Sequence, residues 1–171
     1  YMNYLIIVAI LLFLFAYMKL YLKPKPTMQF LQAKLCNFDS KLLVEKQPVL
    51  LFDKVVNPQE VIGVFFKYLH HLRNDSMTSA NSIEKQNLSR FAIVYNDTDV
   101  MQEIYVKKYV TRVKSIDKNI FYSTVNDSGT EDFVEVKLPG KNMLVVPYLF
   151  SIRTETSMPV TYLSDFIHVI F

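Results

Sequence analysis

Apolar residues are most concentrated at the start of the sequence, where Tyr4 to Met18 contains no charged side chain. The apolar character continues to Leu22, and a helix over these roughly 20 residues measures about 30 Å, the thickness of a bilayer core. The pattern therefore predicts a transmembrane helix over residues 1–22. Its expected anchor residues are Tyr4, Leu5, Ile6, Ile7, Val8, Ile10, Leu11, Leu12, Phe13, Leu14, Phe15 and Tyr17.

The residues that flank this apolar run favour a retained anchor over a cleaved signal peptide. A signal peptide has positive charge before its apolar core and small residues after it, whereas here bulky residues and the positive charge follow the run. Lys19, Lys23 and Lys25 are expected to contact lipid headgroups. The positive-inside rule then predicts a single-pass protein with its C-terminal domain on the cytoplasmic side. A buried core helix is the alternative interpretation.

Residues 23–34 are predicted to link this helix to the rest of the chain. Pro24 and Pro26 alternate with lysines, a pattern that stops a helix and favours an extended spacer. Met28 to Lys34 is predicted to be a short helix or turn that leads into the folded domain.

One amphipathic helix is predicted within that domain. Asn57 suits the N-cap position and Pro58 suits the first helical position. Apolar residues then recur at helical spacing, at Val61, Val64, Phe65, Tyr68, Leu69 and Leu72. We expect the helix to end near Arg73 and the polar stretch Ser76 to Gln86 to form a surface loop.

Short segments with strand patterns fill most of the domain, which is predicted over residues 35–171. Phe133 to Leu138 alternates with a period of two, and Phe91 to Tyr95 is continuously apolar. The other expected strands are Leu42 to Val44, Pro48 to Phe52, Ile104 to Val106, Tyr109 to Val113, Asn119 to Val125, Met143 to Val146 with a continuation over Tyr148 to Arg153, and Thr161 to Phe171. Many short strands after one helix predict a mainly β domain, most simply a single jelly roll.

Composition and charge narrow the classes of function. The net charge is +3, and the cluster of lysines after the apolar run accounts for it. No basic stripe remains elsewhere to predict nucleic-acid binding. The chain has 3 glycines and lacks a glycine-rich phosphate-binding loop. Its single cysteine, Cys36, cannot form an internal disulfide, which favours a reducing compartment.

The histidines do not form a recognisable metal-binding pattern. His70 and His71 are adjacent, so on a helix they point about 100° apart and cannot chelate one ion together. His168 lies among apolar residues and is more simply a half-buried histidine. We therefore predict no catalytic residue, no metal and no cofactor.

The stretch Pro139 to Thr156 resembles the second conserved motif of cupin and Jumonji-type jelly rolls. In that motif a Pro-Gly-acidic turn leads into a strand that ends in proline, and a histidine follows a few residues later. Gly140 and Pro147 match it. The histidine position falls near Ser151, which is no adequate substitute as a ligand, and the first motif's histidine is also missing. The resemblance implies a cupin-like fold without its metal centre.

The combination of an N-terminal anchor, a single jelly roll and an Asn-, Lys-, Ile- and Tyr-rich composition resembles minor capsid proteins of large icosahedral DNA viruses with an internal membrane. The resemblance implies a non-catalytic structural virion protein that lies between the internal membrane and the capsid shell. Its expected partners are the lipid bilayer and the major and other minor capsid proteins, without nucleic acid.

Two other classes of function remain open at the level of sequence. A membrane-anchored cupin-type enzyme or small-ligand binder predicts a bound metal, or a pocket lined by His168, Glu155 and Asp165. An anchored adaptor would capture peptides along an exposed sheet edge.

Overall fold

A computed structural model of the chain describes residues 2–21, 27–38, 41–67, 69, 71–77, 83–109, 117–126 and 132–165. The described part is mainly β and forms a sandwich of two sheets. The strands are β1 (Leu31–Ala33), β2 (Val49–Leu51), β3 (His71–Met77), β4 (Ile83–Asn87), β5 (Phe91–Tyr95), β6 (Gln102–Lys108), β7 (Asp117–Lys118), β8 (Tyr122–Asn126), β9 (Val134–Leu138), β10 (Met143–Pro147), β11 (Phe150–Thr154) and β12 (Met158–Ser164). The helices are α1 (Met2–Tyr21), α2 (Lys41–Val44) and α3 (Pro58–Phe65), with a 3-10 turn at Leu35–Asn37.

Hydrogen bonding orders these strands into two sheets of six over the described residues. Sheet A has the order β1-β2-β10-β5-β12-β3, and sheet B has the order β7-β8-β4-β11-β6-β9. All the strand pairs are antiparallel except β1 with β2. The strands expected at Pro48 to Phe52, Phe91 to Tyr95, Ile104 to Val106, Asn119 to Val125, Phe133 to Leu138 and Met143 to Val146 are confirmed.

The main core lies between the two sheets. Alternate residues of each strand point inward, as the pleat requires, so apolar side chains of both sheets meet. Sheet A contributes Ala92, Val94, Leu144, Val146, Val160 and Tyr162, and sheet B contributes Ile104, Val106, Leu138, Phe150 and Ile152. These residues are at most 1 % exposed, which indicates a filled interior.

A second core covers the other face of sheet A. Phe91, Ile93 and Val145 point away from sheet B and pack with Ile62 and Phe66 at α3. Both faces of sheet A are therefore buried, which explains why its central strands have continuous apolar runs instead of alternation.

Helix α3 begins where the sequence predicts but ends earlier. The Asn57 side chain accepts a hydrogen bond from the Gln59 backbone N–H at 3.2 Å, and Pro58 occupies the first turn. The helix ends at Phe65, so the expected continuation to Arg73 is wrong. Phe66 and Leu69 follow the helix but are buried in the second core. Apolar residues therefore continue at helical spacing beyond the end of the helix. From His71 the backbone pairs with β12 instead.

Two elements near the start of the domain differ from expectation. Leu31–Ala33, expected as a helix or turn, is strand β1 and pairs with β2, so the predicted linker 23–34 overlaps sheet A. The buried Gln47 side chain holds this segment extended, because it accepts from the Gln29 N–H and donates to the Thr27 carbonyl, each at 2.9 Å. Residues 42–44, expected as a strand, lie in helix α2, which places Leu43 in the second core.

The expected surface loop Ser76 to Gln86 is also wrong in its described parts. β3 extends to Met77, and β4 begins at Ile83 in the interior of sheet B. Glu84, Lys85 and Gln86 are at most 9 % exposed. Polar residues thus occupy a central strand, because other parts of the fold supply polar partners. One is the hydroxyl of Tyr109, just after β6, which donates to Glu84.

The chain turns between β10 and β11 instead of continuing as one strand. Leu149 has a φ of 69°, and its N–H donates to the Asn87 carbonyl at 2.9 Å. This turn carries the chain from sheet A to sheet B. Residues 110–113 and 166–171, for which strands were expected, lie outside the described residues.

Helix α1 precedes the sandwich, and its side chains are described from Asn3 to Met18. Over the residues whose side chains are described, no helix is both long and apolar enough to cross a membrane.

Candidate functional site

Helix α1 contains every residue expected to form the anchor. Most of their apolar side chains are exposed, from 51 % for Val8 to 75 % for Tyr4. Leu14 and Tyr17 are half-buried; they are three positions apart and so share one face of the helix. Of the expected headgroup contacts, Lys19 lies in the last turns of α1, whereas Lys23 and Lys25 lie outside the described residues.

A polar joint connects α1 to the sandwich. The Tyr17 hydroxyl donates to Oδ1 of Asp165 at 3.0 Å, and the guanidinium of Arg90 lies 3.0 Å from Oδ2 of the same carboxylate. Arg90 directly precedes β5 and Asp165 directly follows β12, and the register pairs Leu163 with Phe91. The pairing of two central strands thus positions both halves of the ion pair next to the helix.

A second polar group lies inside the sandwich, at the edge where β3 of sheet A faces β4 and β8 of sheet B. Its members are Arg73 and Asp75 on β3, Lys85 on β4, Tyr122 on β8 and Tyr162 on β12. We call these five residues the edge cluster. None of them was predicted as a site residue from the sequence, because they fall in four separate segments and only the strand pairing brings these together.

Two tyrosine rings form the centre of the edge cluster. The rings of Tyr122 and Tyr162 have centroids 5.0 Å apart and are tilted by 32°. The Lys85 ammonium lies 4.5 Å from the Tyr122 centroid, and the guanidinium carbon of Arg73 lies 5.5 Å from it. Both distances are within the range of cation–π attraction.

Asp75 connects the two sheets within the edge cluster. Its Oδ2 lies 3.2 Å from Nζ of Lys85, which also donates to the Ser76 carbonyl at 3.1 Å. Burial alone raises the pKa of Asp75, but hydrogen bonds from Tyr122 and the Ser76 backbone, together with the charge of Lys85, outweigh it and lower the pKa below 3.8. Asp75 therefore remains ionised at neutral pH.

The two tyrosines of the edge cluster remain protonated. Burial, followed by the hydrogen bond and charge of Asp75, raises the pKa of Tyr122. Burial also raises the pKa of Tyr162 well above its usual value, and the negative charge of Asp75 adds to the effect. Tyr162 is fully buried, and its hydroxyl has no hydrogen-bond partner among the described residues.

A different cluster of aromatic and basic residues lies on the outer face of sheet B. The guanidinium carbon of Arg153 lies 4.6 Å from the Phe133 centroid and 5.0 Å from that of Tyr105. The Lys107 ammonium lies 5.3 Å from the Phe133 centroid. Burial, followed by Glu155, whose carboxylate accepts the Tyr105 hydroxyl, raises the pKa of Tyr105 to about 12.

The structure does not bring together the two described residues of the alternative ligand pocket. Glu155 precedes β12 and Asp165 follows it, so the length of that strand, about 20 Å at roughly 3.3 Å per residue, separates them. His168 lies outside the described residues. Within the described part of the chain, no group of three or more His, Cys, Asp or Glu residues is arranged to hold a metal ion.

The cupin-like stretch is divided between the two sheets. Gly140 lies in the turn before β10, Pro147 ends β10, and Ser151 lies in β11. Ser151 faces away from the main core, because its neighbours Phe150 and Ile152 point into that core. The residue at the histidine position therefore does not face the interior of the sandwich.

Comparison of the chain with protein-family models, with curated proteins and with solved structures finds no match in any of the three.

Proposed function

We propose that this chain is a non-catalytic, membrane-anchored structural protein in which α1 attaches a single jelly roll to a lipid bilayer. The proposed setting is a virion with an internal membrane, where the domain lies between membrane and capsid shell and contacts the major and other minor capsid proteins. The observation that carries the proposal is the exposed apolar surface of α1, which needs a nonaqueous partner.

The strand order supports the jelly roll. From β3 to β6 the strands alternate between sheets A and B. β9 pairs with β6 in sheet B, and from β9 to β12 the strands alternate again, in the order B, A, B, A. The resulting neighbours, β3-β12-β5-β10 and β4-β11-β6-β9, form two sheets of four antiparallel strands, as in a jelly roll. β7 and β8 are then an addition at the β4 edge, and β1 and β2 are an addition at the β10 edge.

The contrast between α1 and the domain supports an anchor. The sandwich buries its own apolar residues in two cores, whereas α1 leaves large side chains such as Leu5 and Phe15 about 70 % exposed. Transfer of one such side chain out of water is worth about 1.5–3 kcal/mol when complete. A bilayer satisfies this whole surface at once, and the lysines after the apolar run would place the domain on the cytoplasmic side.

A flotation experiment tests the anchor. The full chain is synthesised with phosphatidylcholine–phosphatidylserine vesicles and is expected to float with them after alkaline extraction. The double variant Ile10→Lys with Leu11→Lys is expected to remain at the bottom of the gradient, because each lysine at a helix centre costs about 2.5–3.5 kcal/mol of insertion free energy. The control Val56→Lys with Val64→Lys changes exposed apolar residues of the domain and is expected to float. A wild-type chain that remains in the aqueous fraction contradicts the anchor.

Two further measurements test the orientation and the setting. Protease added to sealed vesicles whose cytoplasmic face points outward is expected to digest the domain, and complete protection contradicts the proposed topology.

A photo-crosslinking residue at Arg153, on the outer face of sheet B, is expected to capture capsid proteins in purified virions. Absence of the chain from virions that retain their internal membrane contradicts the virion role.

A further inference from the structure

The edge cluster combines features that a purely structural ion pair does not need. In a closed polar network, buried donors and acceptors satisfy one another. Here Lys85 and Asp75 pair at 3.2 Å. The hydroxyl of Tyr162, whose ring packs against Tyr122, is nevertheless fully buried with no partner among the described residues. A buried hydroxyl without a hydrogen bond is costly, so the Tyr162 hydroxyl is a donor that an acceptor from outside the chain can satisfy.

Charge in the edge cluster also leaves one cation in excess. Lys85 offsets the single carboxylate, that of Asp75. Arg73 is exposed, and its guanidinium lies over the Tyr122 ring without forming an ion pair to any described residue. The cluster therefore has one positive charge that is reachable from solvent and one hydroxyl donor that lacks an acceptor.

Both of these groups lie on the same face of sheet A. Arg73 and Tyr162 are directly opposite each other in the antiparallel pairing of β3 with β12, so their side chains leave the sheet on the same face. That face is the interior one, since Tyr162 belongs to the main core. Tyr122 stacks against Tyr162 from sheet B and forms the opposing wall.

We propose that the edge cluster binds a small oxyanion, a carboxylate or a phosphate, which accepts a hydrogen bond from the Tyr162 hydroxyl and pairs with the guanidinium of Arg73. Arg suits this role because its planar group binds carboxylate and phosphate oxygens in a bidentate manner. Asp75 is neutralised by Lys85, and the stacked rings of Tyr122 and Tyr162 form the wall of the site. Entry is from the exposed Arg73 side and requires Tyr122 to shift from its contact with Tyr162.

This inference does not depend on the membrane anchor or on the virion. The edge cluster is formed entirely by strands of the sandwich. An anion bound there could stabilise a structural domain or be the ligand of a binding domain. Failure of flotation would therefore leave it standing, and failure of anion binding would leave the proposed anchor standing.

Titration of the full chain in detergent micelles tests the site with two probes, inorganic phosphate and succinate. Isothermal calorimetry at low ionic strength is expected to give saturable binding of one of them at one per chain. Tyr162→Phe and Arg73→Gln are each expected to weaken that binding at least about tenfold, the size of one lost charge-assisted hydrogen bond. Binding of phosphate alone assigns a phosphate group, and binding of succinate alone assigns a carboxylate.

Matched controls come from the outer face of sheet B. Tyr105→Phe and Arg153→Gln remove the same groups from a pair in which the guanidinium carbon lies 5.0 Å from the tyrosine ring centroid. Both variants are expected to change the affinity for the anion less than twofold. Near-ultraviolet circular dichroism confirms that each variant is folded. Absence of saturable binding of either probe by the folded wild type, or equal losses in the control variants, overturns the proposal.

Discussion

The hydroxyl of Tyr17 donates a hydrogen bond to Oδ1 of Asp165 at 3.0 Å, although 148 positions separate the two residues in the chain. Asp165 is oriented by Arg90, whose guanidinium lies 3.0 Å from the other carboxylate oxygen. The carboxylate therefore connects the helix to two adjacent strands of sheet A. This joint ties the C-terminal part of α1 to the sandwich.

Removal of this hydrogen bond is expected to loosen the helix while leaving the sandwich folded. Spin labels are placed on the exposed Cys36 and on a cysteine introduced at Ile6, and double electron–electron resonance measures their distance in vesicles. Tyr17→Phe and Asp165→Asn are expected to broaden the distance distribution relative to the labelled parent. Tyr4→Phe, at a 75 % exposed position of the same helix, is the control. An unchanged distribution in both joint variants means that other contacts fix α1.

Two glycines are expected to respond oppositely to substitution by alanine. A Cβ on Gly140 would lie 2.5 Å from the carbonyl carbon of Asp99, against backbone that cannot move aside easily, whereas a Cβ on Gly63 meets nothing within 4 Å. Gly140→Ala is expected to destabilise the fold by about 1–3 kcal/mol. Gly63→Ala, in helix α3, is expected to stabilise it by about 0.5–1 kcal/mol.

Urea unfolding followed by tyrosine fluorescence measures both glycine variants, since the chain has no tryptophan. Neither glycine has a positive φ, so the contrast tests steric room and not backbone strain. A Gly140→Ala midpoint equal to that of the parent would mean that the turn before β10 relaxes without cost.

Strands with a clear hydrophobic pattern could be predicted from the sequence, and the edge cluster could not. Phe91–Tyr95 and Met143–Pro147 are buried on both faces of sheet A, so their apolar runs alone identify them. Glu84 to Asn87 are polar although they lie in a buried central strand. No local pattern distinguishes such a strand from a loop, because the partners that satisfy its polar groups are distant in sequence.

The pairing of β3 with β12 explains why the secondary structure around Arg73 and Asp75 was predicted wrongly. Arg73 was expected at the end of a helix and Asp75 just beyond it, whereas pairing with β12 places both in a strand. That pairing also positions Tyr162 opposite Arg73. Long-range strand pairing of this kind leaves little local signal in a single sequence.

The stability of the domain is expected to depend on Asp75 in a pH-dependent way. The pKa of Asp75 is below 3.8 in the folded state, so its ionised form stabilises the fold. This contribution is fully present above the unfolded pKa and is lost as the pH falls through the lower, folded pKa. Asp75→Asn is therefore expected to lower the urea midpoint at pH 7 and to approach the parent midpoint as the pH decreases below about 3.8.

The same titration with Asp99→Asn provides the control, because Asp99 is exposed. At pH 7 the midpoint of this conservative variant is expected to equal that of the parent. A difference between Asp75→Asn and the parent that is as large at pH 2.5 as at pH 7 would mean that the residue acts through packing and not through its charge.

Two fully buried polar side chains are expected to have opposite effects when truncated. Asn87 donates to the carbonyls of Val146 and Pro147 at 3.1 and 3.0 Å, and its own oxygen accepts from the Ser89 N–H at 3.0 Å. Asn87→Ala leaves these groups without partners inside the sandwich, so a loss of at least about 1–3 kcal/mol is expected. Tyr162→Phe instead removes a hydroxyl that has no partner among the described residues.

Without an added anion, Tyr162→Phe is therefore expected to equal or exceed the parent in thermal midpoint, because no hydrogen bond is lost and a buried polar group is removed. Differential scanning calorimetry of the parent and both variants measures this. Addition of the bound anion is expected to raise the midpoint of the parent but not that of Tyr162→Phe, since a ligand stabilises only the state that binds it. A large loss of stability in Tyr162→Phe before any anion is added would mean that the hydroxyl already has a partner within the chain.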